Sequence, residues 1–224
     1  MLNSSKRFIY LDFDVQVDRC QRRTASMTTR NGMVYIRAPY LMSEREILNF
    51  IVQKQDWLRK QLSSPKRRVN FEMRDGETVW ILGQPHVLKL VNSARGAVEV
   101  NDREVIIYGS SLASRNKAWR RYCEDLADIY IDRFRRQLYC EVGDYQLEYR
   151  FFKARWGCCF GQRRLIRMNL WCVCLDEEAF RYVFCHELAH LKVGNHQKEF
   201  YERLAQIWPD YKKGLKLSKQ YQIA

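Results

Sequence analysis

No run of eighteen apolar residues occurs in this 224-residue chain, so no segment is long enough to cross a bilayer as a helix. Asp12 and Asp14 interrupt the opening stretch MLNSSKRFIYLDFDV. It does not read as a secretory signal, and the cytoplasm is the expected compartment. Low-complexity segments are missing and no internal repeat is visible. With 46% hydrophobic and 13% aromatic residues, the composition excludes an intrinsically disordered chain. Acidic residues are in deficit, 26 Asp+Glu against 39 Lys+Arg, leaving a net charge of +13. Such an excess favours polyanions, nucleic acid among them, or makes a solvated basic surface. The basic clusters (RCQRR at 19–23, PKRR at 65–68, RFRR at 133–136) come without an RRM signature or a zinc finger.

Cysteine is not scarce, but the spacing that would give it a structural metal is. The pairs Cys158–Cys159 and Cys172–Cys174 lack the two-residue gap of zinc knuckles. Without a signal peptide, reduced and buried thiols are expected. Histidine is scarce: the chain has four, and three of them fall in FCHELAHLKVGNHQKEF, residues 184–200.

The first half reads as strands. FIYLDFDV alternates, MVYIRAP follows the Asn31-Gly32 turn signal, and ETVWILG, HVLKLV, AVEV and EVIIYG are set off by turn residues. Among them lies one amphipathic helix, SEREILNFIVQKQDWLRKQL, opened by a Ser43/Glu46 capping box and stopped at Pro65. From Ser114 to 141 the apolar residues take helical spacing. Short strands follow at YQLEYRFF and LIRMNL, with WCVCL as a further candidate, before Asp176 caps the helix that carries the histidines. Two domains are therefore expected, a β-rich unit over 1–110 and an α+β unit over 111–224.

His186 and His190 are one helical turn apart and project from one face, while Glu187 is rotated by about 100°. Two neutral imidazoles in that arrangement suit a zinc ion, and the carboxylate suits a base acting on water. A catalytic zinc takes three protein ligands. His196 is the first candidate, brought round by a left-handed Gly194 or Asn195; Glu199 and Glu202 are the alternatives. The pattern is not that of a metzincin. Val193 stands where the metzincin glycine belongs, and no methionine follows Met168 to make a Met-turn.

Arg155-Trp156-Gly157-Cys158-Cys159, Asn169, the HELAHL helix, Asn195-His196, Phe200 and Pro209-Asp210-Tyr211 together resemble the catalytic domain of the YgjP-like zinc metallopeptidases. These are relatives of the SprT and WLM proteases. RAPYLMSEREILNFIVQKQDWL and Ile81-Leu82-Gly83 extend the resemblance over nearly the whole chain. It implies a minimal zincin-like domain: long helix, small β-hairpin or sheet, HExxH helix and C-terminal helix. It implies Zn²⁺ on His186, His190 and His196, with Glu187 as general base. Cys158 departs from the pattern, where serine is usual.

The expected function is a zinc-dependent metallopeptidase acting on a peptide or protein. The RWG element would form a hairpin beside the motif helix and take up an extended peptide. Arg155, Trp156 and Tyr201 are candidates for substrate binding, and Tyr182, Tyr201 and Arg155 for oxyanion stabilisation. Two alternatives accompany this reading. The resemblance also implies a UTP pyrophosphatase, for which no Gly-rich phosphate loop or Mg²⁺ carboxylate cluster is present. A SprT-like protease targeted by nucleic acid is the other.

Overall fold

The computed structural model describes residues 5–30, 32–63 and 66–223. By packing, the chain separates into units 1–65 and 66–224, whereas the sequence pattern changes at about residue 110.

In the first unit, β1 (Ser5–Tyr10), β2 (Phe13–Cys20), β3 (Ser26–Arg30) and β4 (Met33–Pro39) form a sheet of order β1-β2-β4-β3. The alternating stretch FIYLDFDV is not one strand. Leu11 and Asp12 lie at φ 48° and 65°, the left-handed pair that a two-residue hairpin turn requires. Gly32 also has positive φ, 76°, while Asn31 and Pro65 lie outside the described residues. The Ser43 capping box forms: Ser43 Oγ accepts from Glu46 N, and Glu46 Oε2 accepts from Ser43 N at 2.7 Å. The expected single helix is broken at Lys54 into α1 (Glu44–Gln53) and α2 (Gln55–Ser63). Ile47, Ile51 and Leu58 bury against Phe13, Val15, Val17, Val34, Ile36 and Ala38.

The second unit opens with a short strand, β5 (Arg67–Arg68). A second four-stranded sheet follows: β6 (Thr78–Ile81), β7 (Gln84–Val91), β8 (Ala97–Val100) and β9 (Glu104–Tyr108). Its order is β6-β7-β9-β8, with the outer pairs antiparallel and the central pair parallel, as in the first unit. The first hairpin again turns on two left-handed residues, Leu82 at φ 47° and Gly83 at φ 80°. A serine again caps the helix that follows, here Ser111. The chain therefore carries a repeated ββββα arrangement that the sequence conceals. What recurs is strand order and turn geometry, and many side chains satisfy both.

That helix is α3 (Leu112–Arg136), which packs Trp119, Cys123, Ala127, Ile131 and Phe134 into the main core. It ends five residues short of the expected 141. A three-stranded sheet comes next: β10 (Gln146–Arg150), β11 (Gly157–Phe160) and β12 (Leu165–Asn169), in the order β10-β12-β11. WCVCL is not a strand; Leu170–Cys174 is a buried 3-10 turn, joined to the β6–β7 hairpin by Leu82 N→Val173 O and Gly83 N→Cys174 O. The remaining elements are α4 (Glu177–Ala189), α5 (Lys198–Ile207), α6 (Tyr211–Ser218) and β13 (Tyr221–Gln222), which pairs with β5. Asp176 stands at the N-cap of α4 but makes no cap bond. Its carboxylate accepts from the Tyr221 hydroxyl at 2.8 Å and faces Arg67. Gly214 lets α6 approach α4, since a Cβ there would lie 2.3 Å from Glu178 O and 2.6 Å from Tyr182 Cβ. The fold is α+β.

Candidate metal centre

α4 buries Phe180, Val183, Phe184, Leu188 and Ala189, so its opposite stripe is held rigidly. His186 lies in its last turn and His190 is its C-cap residue. The chain then turns without the left-handed residue expected at Gly194 or Asn195; neither has positive φ. Successive tight turns reverse it instead, with Leu191 N bonding Leu188 O and both Lys192 N and Val193 N bonding Ala189 O. His196 arrives just before α5.

The three imidazoles meet through their Nε2 atoms, separated by 3.2 Å (186–190), 3.1 Å (190–196) and 3.0 Å (186–196). Three nitrogens bound tetrahedrally at Zn–N distances would be about 3.3 Å apart, so the spacing fits one ion among them. The outer nitrogens fit as well. His190 Nδ1 lies 2.9 Å from Val193 O, which places its proton there and leaves Nε2 bare. Tyr182 Oη lies 3.3 Å from His186 Nδ1. Phe200, fully buried, is the common floor, with ring centroids 4.8, 4.6 and 4.8 Å from His186, His190 and His196. Burial, then the neighbouring histidines, hold the His186 pKa down to about 3, and burial also lowers that of His190. Both are neutral near pH 7, the state that ligates. Among the described residues, this trio is the group of His, Cys, Asp or Glu close enough to share an ion. The two cysteine pairs do not converge, Glu199 is exposed, and Glu202 pairs with Lys198.

Glu187 is only 6% exposed, and its carboxylate takes no hydrogen bond from the described residues. Burial pushes its pKa up to about 7, against the opposing pull of Arg155. β11 lies against α4 so closely that a Cβ on Gly157 would sit 2.8 Å from both Cγ and Oε1 of Glu187. Arg155 is exposed at the start of this contact. The carbonyl of Trp156 accepts from Asn169 N at 2.9 Å and from Cys172 Sγ at 3.4 Å. Tyr201 is 40% exposed, edge-on to Phe200 and stacked with Tyr211. Of the three oxyanion candidates, Tyr182 is turned to His186 Nδ1. The supporting roles of Gly157, Asn169 and Phe200 are invisible in sequence except as members of the family pattern.

A histidine trio beside a buried carboxylate is the layout of a metallopeptidase domain, and the comparisons give it a family. The YgjP-like metallopeptidase-domain model matches residues 23–218, and the chain belongs to the YgjP-like family. A solved structure, the metallopeptidase zymogen of Pyrococcus abyssi abylysin, is 23% identical; the match covers 46% of this chain and 99% of that one, with a TM-score of 0.32. No curated protein matches the chain.

Proposed function

We propose that the chain is a zinc-dependent peptidase in which His186, His190 and His196 hold the ion and Glu187 is the general base. The observation that carries this reading is the convergence of three Nε2 atoms within 3.2 Å next to a buried glutamate that has no donor among the described residues. A zinc ion held there supplies Lewis acidity, polarising the scissile carbonyl and making water acidic near neutral pH.

The rest of the work falls to the chain. Glu187 takes the proton from the attacking water and delivers it to the leaving amine. Its shallow solvent contact keeps bulk water from competing for that proton. β11 is an edge strand and begins at Gly157 against Glu187, so an extended peptide adding to its free side would run past the base. Arg155 and Tyr201 stand exposed at the rim to orient it.

The test compares the zinc-loaded protein with Glu187→Gln on unfolded protein, on peptides and on nucleoside triphosphates. Glu187→Gln keeps one zinc per chain, and its peptide hydrolysis falls about 10²- to 10⁴-fold, the scale of a general base. Nucleotide hydrolysis without peptide cleavage, or a protein without stoichiometric zinc, would falsify the proposal.

A further inference from the structure

We infer that Asn169 is the positioning residue of the site: it clamps the 152–156 segment and so sets Arg155 and Gly157 against Glu187.

Residues 151–156 link β10 to β11 with no regular secondary structure, and Lys153, Ala154 and Arg155 are exposed. Fixing such a backbone costs conformational entropy, so its order needs a source of contacts. Asn169, 1% exposed, supplies them. Its Nδ2 donates to Phe152 O at 3.1 Å and to Arg155 O at 2.7 Å. Its Oδ1 accepts from Phe152 N at 3.3 Å and from Trp171 N at 3.1 Å. Its own backbone N–H holds Trp156 O. Both amide protons and both oxygen lone pairs are thus used. Among the described residues, the hydrogen bonds of the 152–156 backbone end on Asn169 or Cys172.

The residue is well placed for this task. It is the last residue of β12 and its side chain also caps the 3-10 turn Leu170–Cys174, so it sits on two buried elements. The segment it holds delivers Gly157 so close to Glu187 that an added Cβ would lie 2.8 Å from its Cγ and Oε1. None of these bonds touches His186, His190, His196 or their floor at Phe200. The metal ligands and the base's neighbours are therefore held by separate devices, and a change at 169 should separate them. The catalytic consequence rests on the proposed peptidase reading; the clamp does not.

The test uses the full-length, zinc-loaded protein carrying Asn169→Asp. This change keeps shape but loses both donations and turns a carboxylate on the Phe152 and Arg155 carbonyls. Asn169→Ser serves if that variant does not fold. The expected result is one zinc per chain, at least tenfold faster amide exchange at residues 152 and 169, whose N–H groups tie the segment to the clamp, and a kcat lowered about 10²-fold, the scale of a slight misplacement at a reacting centre. Adding Arg155→Ala to Asn169→Asp should cost less than threefold more, because both act through one segment. Unchanged exchange at 152 and 169, loss of zinc, or full additivity of the two changes would overturn the assignment. If wild-type protein cleaves no peptide, the peptidase reading fails, and exchange with zinc content still decides the clamp.

Discussion

Tyr182 shows how one atom's surroundings set a role. Its phenol is pressed by burial to a pKa of about 12 and so stays protonated, with Oη 3.3 Å from His186 Nδ1. A partner on the outer nitrogen fixes the tautomer and ring orientation of a metal-ligating imidazole. Tyr182→Phe should keep the fold, since the ring remains, and weaken zinc affinity about 10- to 100-fold; competition with a chelator measures this. Affinity equal to wild type would leave Val193 and Phe200 as sufficient supports. In the sequence Tyr182 is one aromatic on a helix with several. The offsets of His186, Glu187 and His190 are local and legible because one helical turn joins them. The bond from Tyr182 to His186 is also local, four residues back, yet a free rotamer could point either way.

At the scale of elements, the site depends on how α4 is held from both sides. Gly214 lets α6 lie directly on α4; a methyl group there would meet the backbone oxygen of Glu178 at 2.3 Å, and a backbone atom cannot step aside cheaply. Gly214→Ala should destabilise the protein by about 1–3 kcal/mol, the usual cost of overpacking, seen as a lower denaturation midpoint with an unchanged m-value. A neutral effect would mean that α6 is free to shift. Sequence periodicity located α3 and the motif helix because their apolar stripes are long. It merged β1 with β2 and α1 with α2 because Leu11 and Lys54 carry no turn signature and Asp12 falls on a polar position of the alternation, where it reads as an outward strand residue. It offered WCVCL as a strand because a short buried apolar run looks the same in either conformation.

For the whole molecule, the two cores are separate in sequence. One is built from residues 8–62 and the other from residues 69–223, and every residue proposed for the site lies in the second. A fragment spanning 66–224 should therefore fold cooperatively and bind one zinc. Calorimetry and metal analysis of that fragment check this; a fragment that is unfolded or metal-free would show that the second core depends on the first unit.

By itself, the sequence determined the α+β class, through alternating runs that give way to helical spacing, and the helix that presents His186 and His190 with Glu187 beside them, because that site motif rests on spacing within one or two helical turns. It also carried the family pattern from Arg155 to Tyr211. Only the tertiary structure decided what stands behind those residues: Phe200 beneath all three rings, Gly157 against Glu187, and Asn169 holding a segment fourteen to seventeen residues away in sequence. The division at residue 65 and the repeated ββββα arrangement came from the same level. Such contacts join distant positions through backbone atoms and ring faces, and almost any local sequence can offer those.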